Sequence, residues 1–176
     1  MTCIVGLVHE SSVWIGGDSA GVSGLDMTVR ADSKVFRNGP FLIGCTSSFR
    51  MRDLLQYTFV PPERNGEIMP WMVNTVIPLI RTCLKDGGFA SKNNETEEGG
   101  TFLIGYQGRL FFVGNDYQLG IPTDGFIAVG CGDQIAHGAL FTTHSLEPRV
   151  RVRIALEAAE RFSAGVRGPF VIMEGK

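Results

Sequence analysis

Residues 1–19 read MTCIVGLVHESSVWIGGDS. The runs CIVGLV and SVWIGG are rich in β-formers and flank His9-Glu10-Ser11, which predicts an N-terminal hairpin whose second strand ends at Asp18. Chain ends fray unless something ties them down. A buried strand directly behind Met1-Thr2 therefore raises the question of whether this end is tied down for chemistry.

Working outward, RADSKVFRNG (30–39) and PFLIGCT (40–46) predict a second pair of strands turning at Asn38-Gly39, the dipeptide best suited to a tight hairpin. SAGVSGLDMTV between the pairs reads as a glycine-rich loop, so the first forty-odd residues predict a four-stranded antiparallel start. In SSFRMRDLLQYTF, Phe49, Leu54, Leu55 and Phe59 fall near helical spacing behind Ser47 or Ser48 as an N-cap. A second helix is predicted over 71–84 from Met72, Val73, Val76, Ile77, Ile80 and Leu84, with Pro78 kinking it or shifting its start. DGGFASKNNETEEGG (86–100) reads as a polar surface loop. TFLIGYQGRLFFVG predicts a hairpin at Gln107-Gly108, and GFIAVGCG a strand running into a helix that carries Ile135, Ala136, Ala139 and Leu140. Pro148 opens a last helix with Ile154, Ala155, Ala158, Ala159 and Phe162 on its packing face, and GPFVIM closes as a strand. The order is strands, helices, strands, helices, strand without βαβ alternation. It predicts an α+β fold of two antiparallel sheets with helices outside.

At 176 residues the chain is expected to form a single domain, 1–176. Its composition, 44% hydrophobic and 19% charged, is that of a globular protein, and a net charge of −2 without a block of Lys or Arg argues against nucleic acid. No apolar run reaches the roughly 20 residues that cross a bilayer, and no secretion signal is visible, so a cytoplasmic location away from membranes is expected. Cys3, Cys45, Cys83 and Cys131 are scattered and His9, His137 and His144 form no cluster; no metal and no cofactor are expected.

Thr2, Asp18 and Lys34 carry chemistry as a set. Removal of Met1 would give Thr2 a free α-amine beside its own hydroxyl, so that one residue holds nucleophile and general base. A nearby lysine keeps the amine's proton affinity low and stabilises an alkoxide, and a carboxylate orients the lysine. Taken singly, each has a plain structural use: Gly-Asp-Ser is ordinary turn chemistry, and most lysines are solvated. Their joint spacing on this strand order favours the catalytic reading.

MT-x-IV, GGDS, SKVFRNG, FLIGCTSS and AVGCG resemble, in order and spacing, the N-terminal nucleophile hydrolases of the proteasome β-subunit and HslV type. The resemblance implies a four-layer αββα sandwich, amide-bond hydrolysis by Thr2 with Asp18 and Lys34, and assembly of the chain with itself into a ring or related homo-oligomer. It also implies a peptide or protein substrate. No GxxxxGK[ST] motif is present, so any ATPase unfoldase would be a separate partner. The Ser48 amide falls where the family's oxyanion donor lies. Cys131 stands where a serine commonly supports the threonine amine, and Ser163 stands in a stretch, FSAGVRGP, that lacks the family's carboxylate. Gly21, Val22, Asp32 and Thr46 fall at the substrate pocket. Lys34 is expected within hydrogen-bonding reach of Asp18, and oligomer contacts are expected from the helices around 47–59 and 71–84 through exposed Phe49, Tyr57, Phe59 and Trp71. Two other readings share these residues: a catalytically silent assembly protein, and a small-molecule amidase of the same superfamily.

Overall fold

The computed structural model describes residues 1–93 and 96–176. The opening hairpin forms as its pattern predicts. Strand β1 (Cys3–His9) pairs antiparallel with β2 (Ser12–Gly17), Ile4 facing Gly17 and His9 facing Ser12. Cys3, Ile4, Val5 and Leu7 are all fully buried, which explains a continuous apolar run rather than alternation: both faces of the strand are covered.

Residues 20–29 are not a loop. They form a separate hairpin, β3 (Ala20–Ser23) and β4 (Asp26–Val29), in which only Ala20 is buried. Without a covered face the segment has no alternation to announce its strands. The next hairpin, β5 (Val35–Asn38) and β6 (Phe41–Cys45), is present, but its two central residues are Gly39-Pro40 rather than Asn38-Gly39. Asn38 pairs with Phe41 instead, and its Nδ2 donates to the Leu55 and Phe59 carbonyls, each at 2.8 Å.

Ser48 caps α1 (Phe49–Asp53), its Oγ accepting from the Arg50 N–H at 3.0 Å, and the winding widens to a π turn over Leu54–Thr58. Helix α2 (Ile68–Trp71) passes through a second π turn, Met72–Val76, into α3 (Ile77–Asp86). The Ile77 N–H bonds to the Met72 carbonyl, and this widened turn lies directly before Pro78, which cannot donate to a helical ladder. Within the expected polar loop, β7 (Ser91–Asn93) pairs with β8 (Thr96–Glu98); the intervening residues 94 and 95 lie outside the described residues. The chain continues through β9 (Phe102–Tyr106), β10 (Arg109–Val113), β11 (Leu119–Gly120), β12 (Phe126–Gly130), α4 (Asp133–Thr142), α5 (Pro148–Phe162) and β13 (Val171–Gly175). Gln107 and Gly108 both take positive φ between β9 and β10, the type I′ geometry expected there.

The strands sort into two main antiparallel sheets, ordered β12-β1-β2-β13 and β11-β10-β9-β6-β5. The first two hairpins of the expected four-stranded start thus belong to different sheets. A hairpin's own pairing is local, whereas the sheet it joins is decided by which apolar faces meet. Ile4, Val13 and Ile15 of the first sheet pack with Val35, Leu42, Leu103 and Leu110 of the second. Phe41, Ile43, Phe102 and Phe111 pack with Met51, Leu55, Met72 and Ile80 of the first helical group. Cys3, Val5 and Ala128 pack with Leu140, Val152, Leu156 and Ala159 of α4 and α5. Gly16 permits the last approach, because a Cβ there would lie 2.3 Å from Val152 Cγ1.

Two expected surface aromatics are core residues. Phe59 is 5% exposed and Trp71 3%; both rings stack on Phe41, at 6.3 and 5.9 Å between centroids, and the Trp71 indole donates to the Glu63 carbonyl. Phe49 is half-buried, and only Tyr57 of the expected four is well exposed. The face of α5 is likewise displaced: Val152, Ala155, Leu156 and Ala159 form the buried seam, while Phe162 is exposed. Among the described residues no helix is long and apolar enough to cross a membrane, and no group of three His, Cys, Asp or Glu side chains is placed to hold a metal.

Candidate active site

Thr2 lies directly before β1 and is held there by β12: the Cys131 N–H donates to its carbonyl at 2.8 Å, and Cys3 pairs with Gly130. Gly130 has φ +104°, and a Cβ on it would come within 2.1 Å of the Thr2 carbonyl oxygen. Only glycine allows this approach. Asp18 follows the last residue of β2 and Lys34 precedes the first of β5, so the two sheets deliver them to the end at which β1 begins.

Asp18 is a buried carboxylate with four donors. Lys34 Nζ donates to Oδ1 at 2.8 Å and the Cys3 N–H to the same oxygen at 3.0 Å. The Ala20 N–H reaches Oδ2 at 2.9 Å and the Arg167 N–H at 3.3 Å. Lys34 is itself buried. Desolvation holds its ammonium below the ordinary lysine range, with Asp18 opposing that shift. Burial, reinforced by Asp18, pushes the neighbouring Cys3 thiol up to about 12.

Thr2 is buried, and its hydroxyl donates to the Met1 carbonyl. Its N–H points at Cys131 Sγ, 3.3 Å away, and Ser163 Oγ lies 3.5 Å from the same sulfur. Cys131 and Ser163 therefore stand on the amine side of Thr2. A cavity of about 280 Å³ opens beside Thr2 and Lys34, lined also by Gly21, Val22, Thr46 and Ser48. The Ser48 N–H is engaged within its own loop, donating to the Thr46 carbonyl at 2.6 Å.

Asp32 does not line the cavity with the other expected pocket residues. It forms a bidentate pair with Arg30, Nε at 2.9 Å and Nη2 at 2.7 Å, and it is Arg30 that lines the space. Arg30, Phe49 and Arg52 were not expected there. The Arg30 guanidinium carbon lies 3.7 Å from the Phe49 ring centroid, while buried Arg52 donates to the Ser33 carbonyl and to Asp53. Nothing in their spacing sets them apart from ordinary helix and loop residues.

No family model and no curated protein sequence matches the chain, but solved structures do. BPH of Thiobacillus denitrificans is similar with a TM-score of 0.83 at 19% identity, covering 99% of this chain and 97% of that one. The same protein in complex with epoxomicin gives 0.82 at 19% identity, covering 99% and 98%. Eukaryotic HslV from Trypanosoma brucei gives 0.69 at 13% identity, covering 99% of both chains. The chain has an HslV-like fold. At these identities the likeness concerns the backbone, and the side-chain arrangement above stands on this chain's own residues. Within the HslV-like fold, the residue before β1 and the residue before β5 line one cavity, and the residue after β2 bonds to the latter from outside it.

Proposed function

We propose that the chain is a threonine-type N-terminal nucleophile hydrolase that cleaves peptide bonds after loss of Met1, within an HslV-like homo-oligomer. The three separate hydrophobic clusters support reading the fold as a four-layer αββα sandwich. The observation that carries the functional reading is that Lys34, held by buried Asp18 at 2.8 Å, lines one cavity with Thr2.

In the intact chain the Thr2 nitrogen is an amide and cannot accept a proton. Cleavage of the Met1–Thr2 bond frees it as an amine. Thr2 Oγ then attacks the substrate carbonyl carbon as its proton passes to that amine, and Lys34 stabilises the charge developing on the hydroxyl oxygen. The scissile C–N bond breaks, the amine's added proton leaves with the departing peptide nitrogen, and an ester remains on Thr2. Water, deprotonated by the same amine, adds to the ester, releases the acid and restores the hydroxyl. Asp18 keeps Lys34 in place, and its backbone donors keep Asp18 in place. Exposed Tyr57, Val60, Phe141 and Phe162 support self-association. Unfolding of a protein substrate is assigned to a separate ATPase.

The test uses the chain beginning at Thr2, released from a fusion cleaved directly before it, and the same chain carrying Thr2→Ala. Incubation with epoxomicin followed by intact-mass measurement should give a one-to-one adduct only with threonine present, and peptide amides should turn over only there. Neither adduct nor turnover in the threonine form would defeat the reading.

A further inference from the structure

The cavity beside Thr2 is lined by three cations, Arg30, Lys34 and Arg52, against one carboxylate, Asp26. The three carboxylates that partner those cations, Asp32, Asp18 and Asp53, do not line it. Lys34 Nζ is paired with buried Asp18 at 2.8 Å. Arg52 is different: it is 6% exposed, its Nε donates to the Ser33 carbonyl at 2.9 Å and its Nη1 to Asp53 at 2.8 Å, yet among the described residues Nη2 has no acceptor. Asp26 is exposed on the β3–β4 hairpin, where solvent screens it.

Resting on the hydrolase reading above, we propose that this cavity selects an acidic side chain, so that the substrates are peptides cleaved after Glu or Asp. The side chain adjoining the attacked carbonyl is the one that enters a cavity opening beside the Thr2 hydroxyl. With Met1 in place as part of its lining, the space is about 280 Å³, at the small end of ligand cavities and enough for one side chain. An apolar occupant would take water from Arg52 Nη2 and give no acceptor in return, and a basic one would face Arg30 and Arg52 together. A carboxylate replaces the water with a charge-assisted hydrogen bond. Arg30, stacked on Phe49 with Nη1 unpaired among the described residues, supplies a second positive charge nearer the surface. Arg52 is thus the specificity-determining residue, and Arg30 assists it.

The experiment compares fluorogenic peptide amides differing only in the residue before the scissile bond: Glu, Gln, Leu or Arg. With the chain beginning at Thr2, kcat/KM for Glu should exceed each of the others by about tenfold, the scale of one hydrogen bond to a charged group. Arg52→Met should remove that preference, and Arg30→Gln, at an exposed site that tolerates change, should reduce it. The Glu–Gln comparison is made on unmodified side chains throughout the protein and so holds even where a variant fails to fold. Equal turnover of Glu and Gln, or faster turnover of Leu, with Thr2 still labelled by epoxomicin, overturns the specificity alone. Absence of both label and turnover removes the hydrolase reading and this inference with it.

Discussion

Asp18→Ala should destabilise the fold more than Lys34→Met, although the two residues form one ion pair. Removing the carboxylate strands a buried ammonium, which costs about 3–5 kcal/mol, and also takes the acceptor from the Cys3, Ala20 and Arg167 N–H groups. Removing the lysine leaves the carboxylate with those three donors, so the loss is that of one hydrogen bond to a charge, about 1.5–3 kcal/mol. Methionine meanwhile fills much of the lysine stem's space. For a domain of 150–250 residues each kcal/mol moves Tm by about 2–4 °C, so the alanine variant should melt several degrees below the methionine variant. Because the stranded ammonium dominates, Asp18→Ala with Lys34→Met should melt above Asp18→Ala alone. Circular dichroism at one fixed protein concentration measures this, since any self-association makes Tm depend on concentration. A double variant that melts at the sum of the two single losses, or a lysine variant that costs as much as the alanine one, would refute the account.

Gly130→Ala should be among the most damaging changes of one methyl group: it meets the Thr2 carbonyl at 2.1 Å and a φ of +104°, each cause costing about 1–3 kcal/mol, and urea unfolding should register the loss. Stability should fall as pH rises above 9, because the unfolded chain releases the Cys3 proton there while the folded chain holds it to about 12. Below pH 9 that contribution is complete, and the fall should be shallower in Cys3→Ala. In the native protein, thiol titration should modify exposed Cys131 first, with Cys3 and Cys45 reacting only on unfolding. Trp71→Ala should cost about 3–5 kcal/mol through loss of the stack on Phe41, whereas Tyr57→Ala should change stability by less than about 0.5 kcal/mol, as equilibrium denaturation of the two can show.

Local pattern determined a good deal by itself. The opening hairpin, the turn at Gln107-Gly108, the strand running from GFIAVG into α4, and the Pro148 start of α5 all follow from short-range periodicity and turn chemistry. The spacing of Thr2, Asp18 and Lys34 was legible because each lies at a strand end, where strand lengths fix position along the chain; the Lys34–Asp18 pair forms at 2.8 Å as expected. Tertiary structure decided what depends on which faces meet. It divided the first two hairpins between two sheets, made a hairpin of the unpatterned segment 20–29, and buried Phe59 and Trp71. It also turned Asp32 aside as the partner of Arg30 and set Arg52 against the cavity. Periodicity along a chain records that a side chain has a covered face, but the neighbour that covers it comes from distant sequence, and only packing brings the two together.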